Sequence, residues 1–172
     1  METSPPQVPT DRLDGWHRVS ETTEQAFSAG PISVTAGTVR YEPANEPEPR
    51  PFFFASRLRI RPVVTPNVAL TRLVERGARD GFHDRLAEND IDDAELRETR
   101  EIPIDDPPGT MATASTFRGR CVVDGESIPV EALVAVWEVG DYLLAGGAYP
   151  LVGDVDGARR TLRGFVRGVR SG

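Results

Sequence analysis

Cys121, His17 and His83 are the residues of this 172-residue chain best suited to nucleophilic or acid–base chemistry near neutral pH. Cys121 stands between Arg118/Arg120 and Val122/Val123 in a stretch patterned as a strand, where a small buried thiol is the expected role. His83 follows Phe82 on an amphipathic helix with Arg79 and Asp80 one turn back, so it reads as a boundary imidazole bonded to solvent or a carboxylate. His17 follows Trp16 and points the opposite way, toward solvent if Trp16 is core. The chain has no G-x-S-x-G elbow, P-loop, Rossmann glycine fingerprint or HExxH pair. Two histidines and one cysteine are too few for the usual structural zinc site. These residues imply a protein without catalytic residues, metal site or cofactor. An unfamiliar hydrolase, needing a histidine or Cys121 against a carboxylate in a cleft, is the enzymatic alternative.

The charges are segregated. Residues 80–106 hold eleven carboxylates and three arginines, and Glu88, Asp90, Asp92 and Asp93 sit close enough along the chain to chelate a hard cation. The EF-hand spacing and its glycine are missing, so a solvated acidic surface is the expected reading. On the closing helix Arg159, Arg163, Arg167 and Arg170 recur at three- and four-residue spacing beside an apolar face. They serve, in order of expectation, to offset the protein's own acidic surface, to dock an acidic partner, or to contact phosphate. A net charge of −7 opposes nucleic acid, and no nucleic-acid role is expected.

All 20 basic residues are arginine against 27 carboxylates. Two causes fit this balance: adaptation to concentrated salt, where an acidic, lysine-poor surface stays hydrated, or a G+C-rich genome that favours arginine codons. A lone cysteine allows no intrachain disulfide and points to a reducing compartment. The opening METSPPQVPT lacks the basic and apolar regions of a signal peptide, and no apolar run is long enough to cross a bilayer. The expected location is the cytoplasm, with no membrane association.

Aromatic residues supply a further candidate. Phe53, Trp137, Tyr142 and Tyr149, with room beside Gly146-Gly147 and Arg57 and Tyr142 as polar groups at the mouth, could line a pocket between sheet and helix for a small apolar ligand. Strand aromatics are ordinarily core, and that is the competing reading.

What must position these side chains is a buried hairpin over Ile128–Tyr149. Val130, Ala132, Val134 and Val136 share one face and Leu133, Ala135, Trp137 and Val139 the other, so both faces are covered. Gly140-Asp141 is its turn. Residues 1–12, rich in Pro, Ser and Thr, are expected to be a disordered tail before a single domain over 13–172. Two strands joined at Ala29-Gly30-Pro31, a stiff proline-rich loop over Pro43–Pro51 and a third strand over Phe52–Arg61 follow. Thr65-Pro66 opens a helix running to Asn89, with Gly77 and Gly81 on its inner face. Strands over Ala94–Ile104 and Met111–Val123 precede the central hairpin, and Asp154 or Asp156 caps a last helix through Arg170. The order β-β-β-α-β-β-β-β-α predicts an α+β fold, an antiparallel sheet of six to seven strands packed by two helices.

Gly15-Trp16, the single helix after the third strand and the closing helix resemble the PsbP-like fold, and Trp137–Pro150, WEVGDYLLAGGAYP, resembles a haloarchaeal family of unknown function. The resemblance implies small accessory and binding proteins, generally without enzymatic activity. The expected function is therefore a non-catalytic cytoplasmic accessory domain of halophilic type that meets a protein partner through a sheet face or the Pro43–Pro51 loop. A small apolar-ligand carrier is the alternative.

Overall fold

The computed structural model describes residues 3–172. Seven strands form one fully antiparallel sheet: β1 (Trp16–Ala29), β2 (Ile32–Pro43), β3 (Phe52–Arg61), β4 (Asp92–Ile104), β5 (Thr110–Val123), β6 (Glu126–Val139) and β7 (Asp141–Pro150). Their spatial order is β1-β2-β3-β7-β6-β5-β4. Helix α1 (Val68–Leu86) follows β3 and α2 (Val155–Gly168) closes the chain. The expected α+β order is the observed one.

The β6–β7 hairpin sits at the middle of the sheet because neither of its faces is polar. Val134 is 1% and Trp137 3% exposed, one on each face. On the Val134 side, Leu70, Val74, Ala78, Phe82 and Leu86 of α1 pack with Val136 and Leu144. The Trp137 side meets Leu162, Phe165, Val166 and Val169 through Phe53, Leu133 and Leu143. The helices thus cover opposite faces, and each buries a stripe spaced at three and four residues.

Both edge strands carry two register shifts, β1 at Arg18/Ser20 and Gln25/Phe27, β4 at Asp92/Glu95 and Leu96/Glu98. Bulges and charged side chains on an outer strand oppose pairing with another sheet.

Three local expectations are corrected. The segment expected to be a disordered tail is, over residues 3–12, an extended strap lying on the α2 side of the sheet and ending in a 3-10 turn at Thr10–Arg12; residues 1–2 lie outside the described part. Val8 joins the core, and Gln7 and Arg170 exchange backbone hydrogen bonds of 2.8 and 2.9 Å. Prolines remove donors and keep the strap out of the sheet, yet they do not stop it packing. Gly37 makes the room, since a Cβ there would collide with the Thr3 carbonyl. Helix α1 starts later than expected. Its cap is Asn67, whose Oδ1 accepts the Leu70 amide at 2.9 Å, so Pro66 precedes the cap instead of following one at Thr65. Finally, the central hairpin turns about Gly140 alone, at φ 93°, with Asp141 already paired to Val139.

Candidate functional site

The sequence-derived pocket residues are divided by the sheet. Phe53, Trp137 and Tyr149 point into the packed core under α2, whereas Tyr142 faces α1, where its hydroxyl meets Thr71 Oγ1 at 2.7 Å. Arg57 is drawn to the chain termini. Its Nε donates to the Ser4 carbonyl at 3.0 Å, Nη1 to Asp141 at 2.9 Å, and Nη2 to the Ser171 carbonyl. Gly146 and Gly147 leave no hollow, because a Cβ at either would strike the backbone of β6 or β3. Glycine there serves close strand approach.

One open space lies between α1 and the strands β1–β3, a cleft of about 220 Å³. Its floor is built in cross-strand rows fixed by register. Thr22 faces Thr38, Thr38 faces Ser56, and Ser56 faces Leu144. Small side chains on this floor leave α1 spanning a gap where larger residues would have filled it. Thr38 Oγ1 and Ser56 Oγ lie 2.6 Å apart, and Ser56 is only 2% exposed. Phe27, Phe54 and Phe82 supply the apolar walls, with the Phe54 and Phe82 rings 5.7 Å apart. Gly77 lets the Phe27 ring press against α1. Gly81 also lines the cleft, and a Cβ there would meet nothing nearer than 3.8 Å.

Two arginines frame the mouth. Arg85 Nη1 reaches Glu24 at 2.5 Å, joining α1 to β1. Arg40 lies 4.1 Å above the Phe52 ring and is held by Glu42 at 3.2 Å and Asn89 at 2.7 Å. Beyond Arg40 a polar cleft of about 250 Å³ contains Glu48, Arg50, Asp90 and Cys121. Burial, followed by the charges of Asp90, Glu48 and Asp92, raises the Cys121 pKa. A thiol held protonated is a poor nucleophile.

The remaining candidates are tied down within the chain. His83 Nε2 lies 2.8 Å from the Ala94 carbonyl and donates to it, with Phe117 5.6 Å from the ring; His17 is exposed on β1. Among the described residues no group of three or more His, Cys, Asp or Glu is placed to hold a metal, Glu88, Asp90, Asp92 and Asp93 included. In the arginine stripe, Arg159 bonds the buried Glu131 and Arg167 reaches Asp105 at 3.1 Å, which Arg12 also meets at 2.7 Å. Burial, then the charges of Arg100 and Arg159, lowers the Arg163 pKa. Arg170 is exposed.

Sequence reasoning missed the cleft because its floor is made of unremarkable hydroxyls. The available signal was Ser56, a polar residue facing the same way as Phe54 and Leu58 in an otherwise apolar half-strand.

The fold and cleft define a small α+β protein with a sheet covered by one helix on each face and an aromatic-walled recess under the first. The chain belongs to the family described as Domain of unknown function (DUF6517), which matches residues 5–170. No curated protein and no solved structure matches it. Among the described residues no helix is long and apolar enough to cross a membrane.

Proposed function

We propose that this is a non-catalytic binding domain that holds a small, largely apolar molecule in the cleft between α1 and β1–β3. The observation that carries this reading is the recess itself, about 220 Å³, open to the surface and walled by Phe27, Phe54 and Phe82. Concave apolar sites with a few converging polar groups are where small ligands bind. The protonated Cys121 and a His83 spent on a backbone carbonyl support a role without catalysis. So does the resemblance to PsbP-like accessory proteins; the acidic, lysine-free composition supports a halophilic setting, and the lone cysteine a reducing, cytoplasmic one.

Gly81→Leu tests the reading, because Gly81 lines the cleft and a Cβ there meets no atom nearer than 3.8 Å. In a titration with ethylbenzene followed by amide chemical shifts, residues around Phe54 and Phe82 should move in the wild type and stay still in Gly81→Leu. A wild type that shows no shifts there would overturn the proposal.

A protein partner is the second reading, favoured by one groove. The Pro43–Pro51 loop, Trp16, Tyr149 and the start of α2 enclose about 470 Å³, and Arg50 braces the loop through Glu42 and Glu48. Recovery from high-salt lysate of one stoichiometric partner, lost when Pro47 and Pro49 become glycine, would support it.

A further inference from the structure

Thr38 and Ser56 form a hydroxyl pair on the cleft floor, and a pair of hydroxyls cannot satisfy both of its own protons. Whichever oxygen donates across the 2.6 Å contact, the other hydroxyl keeps a proton. Among the described residues neither oxygen has a further side-chain partner. Both lie on the cleft lining beside Phe54 and Phe82.

We propose that the ligand of this cleft is a neutral single-ring molecule bearing one carbonyl oxygen, which accepts the spare proton of the Thr38–Ser56 pair while the ring packs among Phe27, Phe54 and Phe82. The inference rests on the cleft being a ligand site, as proposed above. Size sets the single ring: about 220 Å³ is below the 300–1,000 Å³ usual for drug-sized ligands. Charge sets neutrality. Arg85 is already paired with Glu24 and Arg40 with Glu42, so an anionic ligand would have to compete with an existing carboxylate for either. Glu24 and Glu88 on the same lining would repel it further. The spare proton sets the carbonyl: it is the hydroxyl donor beside the Phe54 and Phe82 rings, while Thr22 lies out on β1 and Arg40 and Arg85 at the mouth are already paired.

Acetophenone and ethylbenzene test this directly, since they share a ring and an approximate size and differ in the carbonyl. The wild type should bind acetophenone about tenfold more tightly, the discrimination expected of one buried hydrogen bond. Thr38→Val/Ser56→Ala removes both hydroxyls together and leaves no orphaned partner, so it should fold. In that variant the preference should vanish while ethylbenzene binding persists. If the double variant loses stability, Thr38→Val/Ser56→Cys serves as the check, because a thiol fills the serine site but is a weak donor, and it should lose the preference in the same way. Equal binding of the two probes by the wild type, as when a water already takes the spare proton, would overturn the inference and leave the cleft reading standing. Persistence of the preference in the double variant would overturn it as well. Failure of both probes to bind would sink both proposals.

Discussion

The Arg159 guanidinium forks onto the buried carboxylate of Glu131, with Nε 3.0 Å from Oε2 and Nη2 3.3 Å from Oε1. Nε also lies 3.1 Å from the Tyr149 hydroxyl, and Glu131 is 6% exposed. This contact pins α2 to β6, and the hydrogen bond that Arg159 donates to Glu131 raises the Arg159 pKa. Arg159→Met should cost about 3 kcal/mol, because it strands a carboxylate in the core with only Arg118 at 3.5 Å. Glu131→Leu/Arg159→Met should recover most of that loss. Urea midpoints at matched salt measure both, and a single variant as stable as wild type would show that the pair contributes nothing.

Glycines on the sheet and on α1 predict opposite effects. At Gly147 a Cβ would strike the Phe52 carbonyl and lie 3.0 Å from Leu162, so Gly147→Ala should destabilise by about 2–3 kcal/mol. At Gly81 the same added methyl meets only ordinary contacts, and Gly81→Ala should stabilise by about 1 kcal/mol through helix propensity. Thermal midpoints of the two variants, moving in opposite directions, are the expected result.

How far the sequence could lead depended on whether a feature lives in one stretch or several. The β6–β7 ribbon was legible because its two apolar faces lie within twenty-odd consecutive residues, and α1 and α2 because their stripes repeat. Asn67 as the cap of α1 was open to misreading, since Thr65-Pro66 offers a competing start two residues earlier. The strap was illegible for a different reason: Val8 and Thr3 are buried by contacts with β2 and α2 that no local pattern encodes. The cleft needed register. Thr22, Thr38 and Ser56 lie on three strands, and only the pairing of those strands makes them neighbours. Aromatic residues alone suggested a pocket whose members the sheet separates, because strand alternation sends Phe53 to α2 and Tyr142 to α1.

Cys121 gives the chain a pH signature. Its folded pKa is raised above the ordinary 9.0 by burial first, then by Asp90, Glu48 and Asp92. The unfolded thiol therefore loses its proton at lower pH than the folded one. Stability from this group is intact below pH 9.0 and falls as pH climbs through the raised folded value. Cys121→Ala should flatten that part of the stability curve, on top of a pH-independent loss from the sulfur-sized gap it leaves in the core. Alkylation by iodoacetamide at pH 8 should be slower in the folded protein than in urea, and equal rates would contradict the assignment.

Arg57 is placed to hold both ends of the chain at once. Its three donor nitrogens reach Ser4 on the strap, Ser171 beyond α2 and Asp141 at the β6–β7 turn. Before its far end, where Arg12 bonds Gly164 and Asp105, the strap's other polar contacts are the mutual backbone bonds of Gln7 and Arg170 and a 3.5 Å contact from Thr23 to Thr3. Arg57→Leu leaves β3 paired, since its backbone bonds run to β2 and β7, but it removes one anchor from each terminal segment, at Ser4 and at Ser171. The consequence should be local. The amides of Gln7 and Arg170 should exchange with solvent about ten- to a hundredfold faster, while those of Val134 and Ala145 keep their protection. Asp141→Asn should give a much smaller change, because the two backbone carbonyls remain bonded to Arg57. If loss of Arg57 speeds exchange throughout the sheet instead, the guanidinium supports the core and not the termini, and the strap owes its position to Val8 and Gly37.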